Sequence, residues 1–349
     1  MPALDRSQAP IQTDALIIGA GPVGLFQVFE LGLLGVHAHV VDALPFAGGQ
    51  CMALYADKPI YDIPAVKRCT GRELTERLLE QAAPFKPTFH FDQTVDSLAQ
   101  QGDGRYAVQT STGTRFVAKT VFIAAGVGAF QHRKLHVEGL DAFEPGQVHY
   151  RHQASDKVQG QDIVVLGGED SALEAAIALC DTPAKSVTLL HRRDVFQAEA
   201  ATAAKVAALR TSGKLRFVEG QITGLRSQHR LHGLAVTDKD GLESTVGLDH
   251  LYVFLGLSPK LGPVAQWSLE MERKQLCVST ETFATSAPGI FAVGDIITYP
   301  GKKKLILSGF HEATLAAFAA MALITPDEKV QLQYTTTSSK LHRALGVSH

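Results

Sequence analysis

Two glycine-rich turns carry the clearest chemistry on this chain: Gly19-Ala20-Gly21-Pro22-Val23-Gly24 and, 148 residues later, Gly167-Gly168-Glu169-Asp170-Ser171-Ala172. Each follows an apolar run that reads as a buried strand and opens a helix-forming run. In the first turn Gly19 permits the tight bend, Gly21 lets the backbone approach a pyrophosphate, and Gly24 lets helix pack on strand. The helix N-terminus attracts the anion. Asp42 ends the next strand, 23 residues after Gly19, where a carboxylate can hold both ribose hydroxyls. In the second turn Gly167, Gly168 and Ser171 would face the nucleotide, and the following strand ends in His191-Arg192-Arg193. Two guanidinium forks stand where an NAD site would carry an acid. Arg192 and Arg193 therefore match a 2′-phosphate, which points to NADP(H); the alternative is a solvated surface pair. Glu169 departs from the design, because it replaces the second glycine. Its charge at ~4 Å from phosphate would cost on the order of 1–4 kcal/mol, depending on screening.

Residues downstream of Asp42 favour FAD at the first site. Gly48-Gly49-Gln50 and Tyr55 follow it closely, and Gly294-Asp295 precedes another helix. A short acid there suits a ribityl hydroxyl, while the helix N-terminus faces the flavin pyrimidine edge and stabilises the charge of reduced flavin. The four cysteines (Cys51, Cys69, Cys180, Cys277) include no Cys-x-x-Cys. Electrons would then leave the flavin without passing through a disulfide, and scattered thiols suit a reducing cytoplasm. His37, His39, His132, His136, His149 and His152 lack a carboxylate or cysteine cluster, so no metal site is expected.

These groups need elements to position them. Asp14–Ile18, Val23–Gly35 and His37–Val41 read as strand, helix and strand, a βαβ unit, and Asp162–Leu166, Ala172–Cys180 and Ser186–Leu190 repeat it. Ala43–Arg68 is long, irregular and rich in Gly and Pro, which marks it as functional. Thr70-Gly71-Arg72-Glu73 has capping-box spacing. Tyr106–Thr110 and Arg115–Ala118 read as a hairpin, and Val121–Ala125 and Gly289–Val293 as buried strands. A helix is expected over Phe310–Ile324, before a polar tail, Thr325–His349. The pattern gives an α/β protein of two Rossmann-like dinucleotide-binding domains of the three-layer ββα type, the second inserted in the first. The expected boundaries are 1–126 with 257–349 for FAD and 127–256 for NADP. A chain of 349 residues suits two such cores, and 45% hydrophobic with 19% charged residues is a globular composition. A net charge of −2 gives no bias toward nucleic acid or anionic membrane. Met1–Asp14 lacks the features of a signal peptide, and the apolar stretch Leu315–Ile324 is too short to cross a bilayer.

Taken together the chain resembles the thioredoxin-reductase-like ferredoxin–NADP(+) reductases, the dimeric bacterial type within the pyridine nucleotide-disulfide oxidoreductase superfamily. The likeness covers nearly the whole chain. It rests on Ile18-Gly-Ala-Gly-Pro-Val-Gly24, Gly48-Gly-Gln50, Ala53-Leu-Tyr55 with Ile60-Tyr61-Asp62, Gly128-Ala-Phe130, His191-Arg-Arg-Asp194, Gly294-Asp295 and Ser308-Gly-Phe310. Thioredoxin reductases carry a Cys-x-x-Cys just before the second nucleotide strand; here that region, Val148–Ser155, has no cysteine.

The resemblance implies that Asp42, Gln50, the Val95 backbone, Phe130 and Asp295 contact FAD and that Tyr55 stacks on one face of the isoalloxazine. It further implies that a tail from the partner subunit covers the other face with Tyr334, leaving Thr335 and Thr336 near the ring, with Thr335 close to N5. The activity implied is hydride exchange between NADPH and flavin N5 and single-electron exchange with ferredoxin or flavodoxin, in a cytoplasmic homodimer. Gln197 departs from the pattern, since a third arginine often follows the His-Arg-Arg run. Other acceptors (a quinone, a disulfide, free flavin), or a flavin-binding sensor with an impaired nicotinamide site, stay open as alternatives. Lys302-Lys303-Lys304 either steers an acidic partner or forms a solvated loop.

Overall fold

In the computed structural model, which describes residues 9–144, 146–152, 158–327 and 334–347, the chain divides into two compact units. One is Met1–Ala129 with Pro259–His349; the other is Phe130–Ser258. The second unit is therefore an insertion in the first, and both are of the expected α/β, Rossmann-like kind.

In the first unit the strand Ile11–Ile18 lies between Ala38–Val41 and Arg115–Ile123, parallel to both. Ala15, Leu16 and Ile17 on it are fully buried. A strand covered on both faces needs a continuous apolar run rather than alternation, which is why Ala-Leu-Ile-Ile reads as it does. Thr88–His90 extends the sheet on one side. The antiparallel strands Tyr106–Thr110 and Val95–Gln100 extend it on the other, and Ile290–Ala292 returns from far along the chain to pair with Arg115–Ile123. The helix Gly71–Ala82 starts with the expected capping box: Thr70 accepts from the Glu73 N–H at 3.1 Å, and Glu73 accepts from the Thr70 N–H at 2.9 Å.

The last long helix differs from expectation. It runs Ile306–Ile324, starting four residues before Phe310, because Gly309 lies inside it instead of ending a loop. A Cβ on Gly309 would run into Val23, so the glycine lets this helix lie against the helix Pro22–Leu33; Phe26 and Phe310 meet at a tilt beside the contact, with centroids 4.7 Å apart. At 19 residues the helix is long and apolar enough to span a membrane by length and composition, contrary to the shorter stretch read from the sequence. Its Ala316, Ala317, Ala320, Met321 and Ile324 are spent in the core of the first unit.

The second unit has three layers. A parallel sheet runs in the order Val148–His149, His250–Val253, Asp162–Leu166, Ser186–His191, Arg216–Glu219; an antiparallel sheet comprises Gln221–Ser227, Leu231–Thr237 and Glu243–Gly247. Alternation sorts the core: Val164, Leu166 and Leu190 face the antiparallel sheet with Leu234, Val236 and Val246. Ile163, Val165 and Leu189 face the other way, toward Leu173, Ala176 and Leu179 of the helix Asp170–Cys180.

A histidine pair on the first unit is expected to make stability pH-dependent. His39 Nδ1 lies 3.0 Å from His90 Nε2, and the His37 ring is 5.3 Å from that of His39. Burial first, then the charges of His90 and His37, lower the His39 pKa to about 4. The unfolded chain titrates near 6.5 and so binds more protons between those values. Stability is expected to be fully present above about pH 6.5 and to fall as pH drops toward 4. Urea midpoints at pH 5 and 7 should differ less in His39→Leu than in wild type; an equal difference would rule out His39 as the source.

Candidate functional site

The first glycine turn is a close-packed backbone cradle. Gly19 has φ +110°, and a Cβ there would meet the Ala124 carbonyl. A Cβ on Gly24 would land on the Gly19 carbonyl oxygen, so the helix can begin this close to the strand only with glycine. Gly21 sits on Gly49: a Cβ on Gly49 would come within 2.9 Å of the Gly21 Cα, and Gly48 donates to the Ala20 carbonyl at 2.8 Å. Two glycine turns thus face each other with no side chain between them, which suits a pyrophosphate passing along the helix N-terminus. The residues present fit FAD in this respect.

Asp42 directly follows the strand Ala38–Val41, as the ribose role requires, but its carboxylate also staples the turn. Oδ2 accepts from the Ala20 N–H at 2.6 Å and Oδ1 from the Leu44 N–H at 2.8 Å. Burial raises its pKa and these two bonds oppose the rise. Each carboxylate oxygen keeps a second lone-pair direction for a hydroxyl. Gln50, in the helix Gly49–Tyr55, places its amide nitrogen 3.2 Å from where a Cβ of Gly126 would stand, and Gly126 has φ +59°. Val95 is buried at the start of its strand. Phe130 lies on the strand Ala129–His132, and its side chain is outside the described residues.

Tyr55 lies beside Cys51, and the charge of Asp295 is felt at both. The Cys51 thiol donates to the Tyr55 hydroxyl at 3.4 Å. Burial, then Cys51, then the charges of Asp295 and Asp62 push the Tyr55 pKa up, so the phenol stays protonated. Tyr55 also lines an open pocket with Leu54, Ile60 and the exposed Tyr61. Burial also raises the Asp295 carboxyl, opposed by Lys302 and Lys304.

Sequence reasoning missed what holds Asp295 in place. Glu312, fully buried on the helix Ile306–Ile324, accepts from the Gly294 N–H at 2.7 Å and the Tyr299 hydroxyl at 2.9 Å, and is ion-paired with Lys302. The Lys302 side chain is only 5% exposed, which corrects the reading of Lys302-Lys303-Lys304 as one solvated or steering run: only Lys303 and Lys304 are exposed. The available signal was a lone carboxylate in an otherwise apolar helix, which demands a partner.

Tyr334, Thr335 and Thr336 stand apart. All three are exposed, Tyr334 at 71%, and among the described residues none hydrogen-bonds to another expected site residue.

The second cradle is built the same way. Gly167 has φ +151°, and a Cβ there would strike the Phe254 carbonyl and Ala172; a Cβ on Gly168 would enter the His191 ring. Ser171 is exposed in the first turn of the helix. Arg192 and Arg193 are exposed just past the strand Ser186–His191. Among the described residues neither is in a salt bridge, and the adjacent Asp194 is engaged by Arg210 at 2.7 Å. Two free forks at a strand end can take a phosphate.

Residues 13–319 match the family model described as pyridine nucleotide-disulphide oxidoreductase. The chain is 60% identical over 344 residues, 97% of each chain, to a ferredoxin–NADP reductase of Albidiferax ferrireducens. It is 58% identical over 346 residues, 98% of this chain and 94% of the relative, to one from Polaromonas sp.. Among solved structures, the fold is similar to that of Lactococcus lactis thioredoxin reductase (TM-score 0.56, 24% identity, 90% of this chain and 99% of that one). It is also similar to the bacillithiol disulfide reductase of Staphylococcus aureus (TM-score 0.59, 16% identity, 89% and 99%).

Proposed function

The chain belongs to the pyridine nucleotide-disulphide oxidoreductase family, and on that premise we propose that it is an FAD-dependent ferredoxin–NADP(+) reductase, exchanging electrons between NADPH and ferredoxin or flavodoxin. The observation that carries this reading is the pair of glycine cradles, one in each unit, with no cysteine in the segment Val148–Ser155. Relatives named ferredoxin–NADP reductase match over nearly their full length. FAD supplies the conversion between a two-electron hydride and single electrons. The protein binds and orients: the Gly19–Gly24 and Gly48–Gly49 turns take the pyrophosphate, Asp42 the ribose, Gln50, Val95, Phe130 and Asp295 the rest of the cofactor, and Tyr55 one ring face. Gly167, Gly168 and Ser171 seat NADP(H), and Arg192 and Arg193 select it by its 2′-phosphate. The exposed Tyr334, with Thr335 and Thr336, serves the partner's site in a cytoplasmic homodimer.

The test is anaerobic mixing of the yellow protein with NADPH or NADH, following flavin absorbance. NADPH should bleach the flavin far faster than NADH does. A charge-assisted bond is worth about 1.5–3 kcal/mol, so Arg192→Ala/Arg193→Ala should raise the KM for NADPH roughly 10²-fold and leave that for NADH unchanged. Equal use of both nucleotides by the wild type would sink the NADP assignment. Failure to reduce ferredoxin or flavodoxin, with rapid bleaching by NADPH intact, would point to a different acceptor.

A further inference from the structure

Glu169 and Gln197, the two departures from the nucleotide-binding pattern, are neighbours in space. Their backbones pair as an isolated parallel bridge, and the Gln197 N–H donates to the Gly168 carbonyl at 2.8 Å. Glu169 occupies the N-cap position of the helix Asp170–Cys180, yet its side chain makes no capping bond. The carboxylate is turned aside over Gly256, with Oε2 3.4 Å from where a Cβ of that residue would stand; Gly256 has φ +80°. The next acid, Asp170, is tied down, accepting from the Glu199 N–H at 2.8 Å. Among the described residues Glu169 forms no salt bridge, and it is exposed. Its charge is felt at His191: burial, Arg192 and Arg193 lower that pKa, and Glu169 works against them.

An uncompensated carboxylate therefore stands at the helix N-terminus whose free N–H groups form the anion seat. The carboxylate lies over Gly256 and makes no capping bond, so the backbone N–H groups stay open to approach while the charge belongs to the residue that caps the helix. We propose that Glu169 is an affinity-setting residue, a built-in anion that weakens pyrophosphate binding in the second unit and keeps the nicotinamide nucleotide exchanging rapidly. Arg192 and Arg193 hold the far end of the same nucleotide, so the site selects through its 2′-phosphate and releases through Glu169. This rests on the NADP(H) reading given above.

The experiment is calorimetric titration of the FAD-loaded protein with NADP+ and, separately, with 2′-AMP, which carries the 2′-phosphate but no pyrophosphate. Glu169→Gln keeps the side-chain size and removes the charge; Glu169→Gly restores the glycine. Both should tighten NADP+ about tenfold at low salt, with the gap shrinking as added salt screens the repulsion, and neither should change 2′-AMP binding. Binding by both variants but not by wild type would support the proposal in its strongest form. Wild-type affinity in both variants would overturn it and leave the NADP(H) reading standing. Equal tightening of 2′-AMP and NADP+ would also overturn it, by placing the effect at the 2′-phosphate. No binding of either probe by any of the three proteins, with the flavin still reducible by dithionite, would overturn the proposal and the NADP(H) reading together.

Discussion

Lys302→Met is expected to destabilise the first unit by about 3–5 kcal/mol, the usual cost of removing one partner from a buried ion pair. Glu312 is fully buried, and its carboxylate has three partners: Lys302, the Tyr299 hydroxyl and the Gly294 N–H. Without the lysine it must either stay charged in an apolar helix or take up a proton. The Gly294 N–H would then lose its charged acceptor, and that glycine, at φ +82°, fixes the turn carrying Asp295. Urea unfolding should show the stability loss, and FAD fluorescence should show faster cofactor release. Lys302→Met/Glu312→Gln should recover more than half of the lost stability, because the uncompensated charge is gone. A double variant no better than the single one would locate the effect in lost packing of the lysine stem.

Gly24→Ala is the second large effect. The added Cβ would meet backbone, the Gly19 carbonyl oxygen, and no rotamer change can relieve it. Overpacking of this kind costs about 1–3 kcal/mol, and here it falls on the turn that must cradle a pyrophosphate. FAD affinity should fall by up to about 10²-fold, so the purified protein should be pale and regain colour only in excess FAD. Gly102→Ala is the matching control, since nothing lies within 4 Å of its Cβ position. Full colour in Gly24→Ala would mean that the Gly19 turn shifts without cost.

Much of this was legible beforehand because it is local. A strand buried on both faces announces itself as an apolar run, Thr70 and Glu73 sit three apart for reasons internal to one helical turn, and glycine spacing reports a backbone approach. Contacts between distant segments were not legible. The sequence starts the last long helix at Phe310, because the partner that makes Gly309 necessary inside it, Val23, lies 286 residues earlier. Lys302 looked like one of three equivalent lysines, since only the returning helix singles it out for Glu312. Asp42 stands directly after its strand, where the sequence put the ribose carboxylate, yet its bond to Ala20 needed the folded turn to be seen. The bridge between Glu169 and Gln197 follows no sequence period at all.

The insertion has a consequence for synthesis. Phe130–Ser258 is continuous and can fold as soon as it clears the ribosome, whereas the strand Arg115–Ile123 must wait for Ile290–Ala292. Ala292 follows its partner Ile123 by 169 residues. At about 5–20 residues per second, that delay lasts roughly 8–34 s. Through that interval the nascent first half holds an unpaired strand edge and the bare face of Pro22–Leu33. The later-born unit is complete first, while the N-terminal half waits for the strand and helix that close its core.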